Sequence, residues 1–331
     1  MRTRAPVPRS ATRTGPQGTR REERIANIQR DLSVLAMATK SPRRLPVGVQ
    51  IGPPAMPAST SIAVPGRGTV DVRHVEGPPD CLPVVLIHGW TLTADINFSG
   101  MYEAISLNNS VVAFDARCHG RGLRSGHFTV EESGDDIIAV LDELGYDRAI
   151  MVGYSLGGVT AIDLAIRHPD RVAGIVVQAA SVNYRSMRRD AAFGRLLPAL
   201  ERAARLGLGR TIPARFWIAA ARRHPHIAQR WDWIVEELSR MAPHHVFQVL
   251  DDVMSRDYRP RLAEQPLAMP TAYVLLRDDR VCRPKLQREA ANALRATPIE
   301  IDADHDAPLT QPEAYANATL RAITALGLTT T

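Results

Sequence analysis

The chain has 331 residues, 45% hydrophobic and 23% charged, which suits one large core or two modest ones in a globular enzyme. Arg, Asp, Gly or Pro interrupts every apolar run before it reaches the roughly 20 residues of a membrane-spanning helix, so no transmembrane segment is expected. The net charge of +6 comes from arginines spread along the chain without a helix-turn-helix, zinc-finger or RNA-binding pattern, which argues for a solvated basic surface and against a nucleic-acid partner.

In chain order, Arg2, Arg4, Arg9, Arg13, Arg20 and Arg21 come before any acidic residue and alternate with Pro, Thr and Gly. Such a segment has little to bury, and residues 1–60 are expected to form a basic disordered tail. The apolar run Leu32–Ala38 is short for a secretory signal and is followed by Lys40, Arg43 and Arg44, so the protein is read as cytoplasmic. Cys81, Cys118 and Cys282 are odd in number and far apart, which suggests neither a disulfide framework nor a zinc site.

The texture changes near Thr69. Val70, Val72 and Val75 alternate as an edge-type strand, Gly77, Pro78 and Pro79 make a turn, and Val84–Ile87 reads as a buried strand. Val111–Phe114 is a further strand, Val130–Leu144 an amphipathic helix, Ala149–Val152 a strand, Leu156–Arg167 a helix and Val172–Val177 a strand. This alternation predicts an α/β fold, a mostly parallel twisted sheet with helices on both faces. From 181 to 265 the strand signal stops and helices are expected, broken at Gly207, Gly209, Pro213, Pro225 and Pro243. Alternation resumes with a strand at Thr271–Leu276, a helix at Lys285–Arg295, a strand at Ile299–Ile301 and a helix at Glu313–Leu326. The predicted organisation is therefore an α/β core of 61–180 and 266–331, interrupted by a helical cap of 181–265.

The chemistry concentrates at a few positions. Gly153, Tyr154, Ser155, Leu156 and Gly157 form a Gly-x-Ser-x-Gly placed between a predicted strand and a predicted helix, the context of a nucleophile elbow. The helix start can offer the Leu156 N–H to an oxyanion, and the loop His88, Gly89, Trp90 after the first buried strand can offer the Trp90 N–H. His88 itself is read as a structural histidine that holds the loop. Asp279 follows the strand Thr271–Leu276 and His305 follows Ile299–Ile301, so serine, aspartate and histidine all stand at carboxyl ends of strands, where open α/β sheets bind ligands.

The stretches His88–Trp90 (HGW), Asp115–Gly122 (DARCHGRG), Gly153–Gly158 (GYSLGG) and His305–Glu313 (HDAPLTQPE) resemble the α/β-hydrolase superfamily, over about Thr69 to Leu326. The resemblance implies Ser155 as nucleophile, His305 as general base, Asp279 as the triad acid, and the Trp90 and Leu156 amides as the oxyanion hole. Asp279 is preferred to its neighbour Asp278 because Arg280–Pro284 resembles the segment that follows the family's acid. Cys118, Leu276 and Asp304 depart from the family's usual residues. Asp302, Asp304 and Asp306 flank the histidine, where charges can shift its pKa, but are read as loop residues facing solvent.

The implied reaction is hydrolysis of a carboxylic ester or related small acyl substrate by water, through an acyl-enzyme, with no cofactor and no metal. His224 with His226 and His244 with His245 show no accompanying ligand pattern. Serine at position 155 argues against the aspartate-nucleophile dehalogenases and epoxide hydrolases that resemble this layout. Cofactor-free haloperoxidase or perhydrolase chemistry and carbon–carbon bond hydrolysis on the same triad are the alternatives, with a non-catalytic binding module as the alternative of a different class. Trp217, Trp231 and Trp233 lie in the helical segment, and Trp217 and Trp231 are candidate pocket residues favouring a hydrophobic acyl group. Oligomeric state has no sequence signal here.

Overall fold

Strand-forming runs rich in Val and Ile come together in one sheet, which in the computed structural model has eight strands among the described residues (51–186, 192, 194–207 and 225–328). The strands are β1 (Thr60–Val64), β2 (Gly68–Val75), β3 (Val84–Ile87), β4 (Val111–Phe114), β5 (Ala149–Tyr154), β6 (Val172–Gln178), β7 (Thr271–Leu276) and β8 (Thr297–Ile301). Their order is β1-β2-β4-β3-β5-β6-β7-β8. The first two are antiparallel, and β4 through β8 run parallel. All described residues belong to the folded unit Arg44–Thr331.

The helices are α1 (Ala94–Phe98), α2 (Tyr102–Ser106), α3 (Val130–Glu143), α4 (Leu156–Arg167), α5 (Leu197–Arg205), α6 (Pro225–Gln229), α7 (Trp231–Ser239), α8 (Pro243–Ser255), α9 (Arg259–Glu264), α10 (Pro284–Ala293), α11 (Ala307–Thr310) and α12 (Pro312–Ala325). Side chains alternate across the sheet with period two. Val85, Ile87, Met151, Ile175, Val177, Tyr273 and Leu275 face the layer of α3, α4, α8 and α10. Their neighbours Val84, Leu86, Ile150, Val152, Val176, Val274 and Leu276 face α1, α2 and α12. Continuous apolar runs are what a strand covered on both faces requires.

Local signals explain several boundaries. Thr129 caps α3, its hydroxyl accepting from the Glu132 N–H at 3.1 Å and donating to the Glu132 carboxylate at 3.2 Å. Pro225 and Pro243 each open a helix, since a residue without an N–H loses nothing in the first turn. Between β6 and β7 the regular elements among the described residues are helical, apart from the isolated bridge Asn183–Asp257. This segment is bonded to the sheet layer at several places. The Trp90 indole N–H donates to the Val246 carbonyl at 2.8 Å, the Val130 N–H donates to Asp252 at 2.9 Å, and Arg121 forms a two-pronged ion pair with the buried Glu237 at 2.6 and 2.9 Å.

The sequence reading differs from the structure at the first strands. The segment expected to be an edge strand, β2, has a strand on each side, because β1 pairs outside it. Only Val64 of β1 is buried, so no alternating apolar pattern marks it. Residues 51–60 of the expected tail include Thr60 at the start of β1, and the Ile51 N–H donates to the Gln229 carbonyl at 3.0 Å. The expected tail over 1–50, the expected breaks at Gly209 and Pro213, and the candidate pocket residue Trp217 lie outside the described residues. No helix among the described residues is long and apolar enough to cross a membrane.

Candidate active site

Ser155 sits where β5 turns into α4, with φ 53° and ψ −110°, a left-handed conformation that is strained for a residue with a side chain. The turn is possible because its glycines have no Cβ. A Cβ on Gly153 would stand 2.1 Å from the Gly157 carbonyl oxygen, and one on Gly157 would stand 1.9 Å from the Ile87 carbonyl oxygen. The second clash shows how closely the start of α4 abuts the end of β3, which leads into the loop His88–Thr91. The Leu156 N–H at the helix start and the Trp90 backbone therefore belong to adjoining strand ends, β3 and β5 being direct neighbours.

The Ser155 hydroxyl lies 3.0 Å from His305 Nε2, and His305 Nδ1 lies 2.8 Å from Asp279 Oδ2. Asp279 is buried, at 3% exposure. Its Oδ1 accepts from the Val281 and Cys282 N–H groups at 2.8 and 2.9 Å, and its Oδ2 also accepts from Gln287 Nε2 at 3.0 Å. An ionised carboxylate only accepts, so His305 Nδ1 carries a proton, Nε2 is left as an acceptor, and the serine hydroxyl donates to it. Asp278 is exposed and points elsewhere, so the structure brings Asp279 and not Asp278 to the histidine.

Burial by itself would lower the His305 pKa, but the Asp279 carboxylate, followed by Asp304 and Asp306, outweighs it and leaves the imidazole above the ordinary histidine range. Burial pushes the Asp279 carboxyl upward as well, against the pull of His305 and the Val281 amide. Asp304 is not the solvent-facing loop residue expected from the sequence. It accepts from the His305 N–H at 2.8 Å and the Arg280 N–H at 3.1 Å, and pairs with the Arg280 guanidinium. Its position beside the histidine makes it a brace for that loop, a role that a charge in an acidic loop does not announce.

His88 is fully buried and acts as the structural histidine expected of it. Its Nδ1–H donates to the Gly89 carbonyl at 2.8 Å and its Nε2 accepts from the Ala116 N–H at 2.8 Å. Burial lowers its pKa, consistent with this neutral tautomer. Cys118, which departs from the family's residue, takes φ 64°, a backbone shape that favours glycine, and burial pushes its thiol up to about 11. Trp231 is half-buried and packs against the cluster of Ile227 and Ile234, as does Leu309, four residues beyond His305. A cavity of about 370 Å³ lined by Met56, Arg73, Asp95, Arg121, Trp233 and Glu237 contains neither Ser155, Asp279 nor His305, and both its arginines are already paired with carboxylates.

Two buried residues escaped the sequence reading. Gln287 on α10 binds Asp279, donates to the Cys282 carbonyl at 2.6 Å and accepts from the Leu276 N–H at 2.9 Å, clamping the turn that carries the acid. Its signal was a glutamine on the stripe Leu286, Ala290, Ala291 and Leu294, the apolar face of an amphipathic helix. Tyr154 lies between Gly153 and Ser155, donates its hydroxyl to the His305 carbonyl, and sets its ring 5.4 Å from the imidazole. Among the described residues no group of three or more His, Cys, Asp or Glu side chains is gathered to hold a metal ion.

The arrangement can pass the Ser155 proton to His305 while Asp279 holds the imidazole in orientation, which is the requirement for nucleophilic attack by a serine. The sequence pattern of the alpha/beta hydrolase family matches residues 84–318. The chain belongs to this hydrolase family. It is 35% identical over 115 residues to a Caulobacter vibrioides protein carrying the carbamate hydrolase name RutD, covering 33% of this chain and 43% of that protein. It is 30% identical over 150 residues to the sn-1-specific diacylglycerol lipase ABHD11 of Mus musculus, covering 43% of this chain and 46% of the lipase. The chain thus spans less than half the length of these curated relatives. A thermophilic esterase from Thermogutta terrifontis has the same fold, with a TM-score of 0.65 at 22% identity over 81% of this chain and 98% of the esterase.

Proposed function

We propose that this member of the family is a serine hydrolase that cleaves a carboxylic ester or a related acyl substrate with a hydrophobic acyl group. The observation that carries the reading is the hydrogen-bonded chain from Ser155 through His305 to the buried Asp279, at 3.0 and 2.8 Å, on a strained elbow at the carboxyl ends of the strands. In this reading His305 takes the Ser155 proton as the hydroxyl attacks the acyl carbon. The Leu156 and Trp90 amides receive the oxyanion, His305 returns the proton to the leaving group, and an acyl-enzyme forms. Water, deprotonated by the same imidazole, then releases the acid and regenerates the serine.

In this reading the described helices between β6 and β7 belong to a cap on the site, and the apolar cluster of Ile227, Ile234, Trp231 and Leu309 supports an apolar wall for the acyl group. A relative named as a diacylglycerol lipase and a structural neighbour named as an esterase fit ester chemistry. The test is labelling with a fluorophosphonate together with hydrolysis of 4-nitrophenyl esters. The wild-type protein should label rapidly and turn over, and a folded Ser155→Ala variant should do neither. A wild-type protein inert to both reagents, or a Ser155→Ala variant that keeps its activity, sinks the proposal, the first result favouring a ligand-binding module on this fold.

A further inference from the structure

A line of buried polar side chains runs from the loop bearing Trp90 to the C-terminal helix α12, which lies in the same layer as α1. The Gly89 N–H donates to Asn97 Oδ1 at 2.9 Å, and Asn97 Nδ2 donates to the Tyr315 hydroxyl at 3.1 Å. That hydroxyl donates to Gln178 Oε1 at 2.5 Å, Gln178 Nε2 donates to Thr319 Oγ1 at 2.8 Å, and the Thr319 hydroxyl returns to the Tyr315 carbonyl at 2.9 Å. All four side chains are at least 98% buried. They come from α1, β6 and α12, elements far apart in the chain.

This line adjoins the Ser155 elbow, the loop bearing Trp90 and, through Tyr154, the loop bearing His305. The Gln178 carbonyl accepts the Ser155 N–H at 2.8 Å, and Gly89 adjoins Trp90. The Tyr315 ring meets the Tyr154 ring edge-on at 5.4 Å, and Tyr154 holds the His305 carbonyl. A core of this kind could be filled by apolar side chains. A satisfied buried polar network instead selects one geometry, because any shift leaves a desolvated donor or acceptor unpaired.

Resting on the hydrolase reading above, we infer that Tyr315 is a positioning residue: through Asn97 it holds the His88–Thr91 loop, and with it the Trp90 amide, where an oxyanion on the Ser155-bound carbon needs a donor. Removing the hydroxyl leaves Asn97 Nδ2 without its acceptor and Gln178 Oε1 without its donor. The loop then gains freedom at the point where placement within about 0.5 Å matters. The step affected is charge stabilisation in the transition state, so kcat and not KM should carry the loss.

The experiment compares the full-length wild type, Tyr315→Phe and Asn97→Ala, with functional sites counted by fluorophosphonate labelling. The control is Leu141→Ala, a core truncation in α3 away from the network. Kinetics with 4-nitrophenyl butyrate and inhibition by phenylboronic acid, whose serine adduct places an oxygen in the oxyanion position, are the readouts. Tyr315→Phe and Asn97→Ala should lower kcat per labelled site by about 10- to 100-fold with KM little changed, and should weaken boronate inhibition in parallel. Leu141→Ala should lower the melting temperature without either effect. Variants that lose melting temperature but keep the wild-type kcat per site and boronate affinity would make the network a structural element only and overturn the inference. A wild type that does not label overturns the hydrolase reading and this inference with it, so the two failures are told apart.

Discussion

Replacing Asp279 by asparagine tests the proposed acid most sharply, because the structure dictates how the new amide must sit. Oδ1 of Asp279 accepts from two backbone N–H groups, Val281 and Cys282, at 2.8 and 2.9 Å, and Oδ2 faces His305 Nδ1 and Gln287 Nε2. An asparagine side chain has a single acceptor oxygen, which the two backbone donors claim, so its NH₂ is turned toward His305 and Gln287, two groups that also donate. The imidazole can relieve that clash only by moving its proton to Nε2, which removes the acceptor that Ser155 needs at 3.0 Å. A wrong tautomer of this kind costs about 10,000-fold in kcat, on the order of 5 kcal/mol of transition-state stabilisation. Asp278→Asn alters an exposed side chain, and its effect should stay within about 0.5 kcal/mol. Steady-state hydrolysis of 4-nitrophenyl butyrate, with melting temperatures to establish folding, measures both. A folded Asp279→Asn variant within tenfold of wild type, or an Asp278→Asn variant with the larger loss, would refute the reasoning.

Two further expectations follow from the same geometry. His305 must be neutral to accept the Ser155 proton, so activity falls as pH drops through its pKa. Because that pKa lies above the ordinary value of about 6.5, the acid limb of kcat/KM should lie above it too, and Asp304→Asn, which removes one of the raising charges, should move the limb to lower pH. A limb at or below the ordinary value, or an upward move in the variant, contradicts the assignment. Trp231→Ala opens the apolar cluster beside Leu309 and should change the ranking of acyl-chain lengths by about 1 to 3 kcal/mol while altering acetate ester turnover less. An unchanged ranking with a lowered melting temperature would show that Trp231 only packs the helical segment.

What could be read from the chain itself was whatever has a local physical signature. Parallel strands buried on both faces appear as continuous apolar runs, and Val84–Ile87, Val111–Phe114 and Val172–Val177 each fall inside an observed strand. A turn that must pass backbone 1.9 to 2.1 Å from a missing Cβ demands glycine, so Gly153 and Gly157 marked the Ser155 elbow directly. The strand β1 left no mark, because an edge strand with one buried residue carries almost no hydrophobic pattern. Between Asp278 and Asp279 the sequence offered a preference for Asp279 only through the resemblance of Arg280–Pro284, and the tertiary structure supplies the physical reason, since successive side chains diverge and a one-residue difference decides which carboxylate is buried against His305. Gln287, Tyr154 and the line from Gly89 to Thr319 were invisible as functional neighbours, and Asp304 was legible only as a charge flanking the histidine, not as the brace of its loop. Their partners lie up to 218 residues away in the chain, as for Asn97 and Tyr315. A hydrogen bond of that separation has no periodicity or composition to announce it, and it exists only once α1 and α12 have packed side by side on the same face of the sheet.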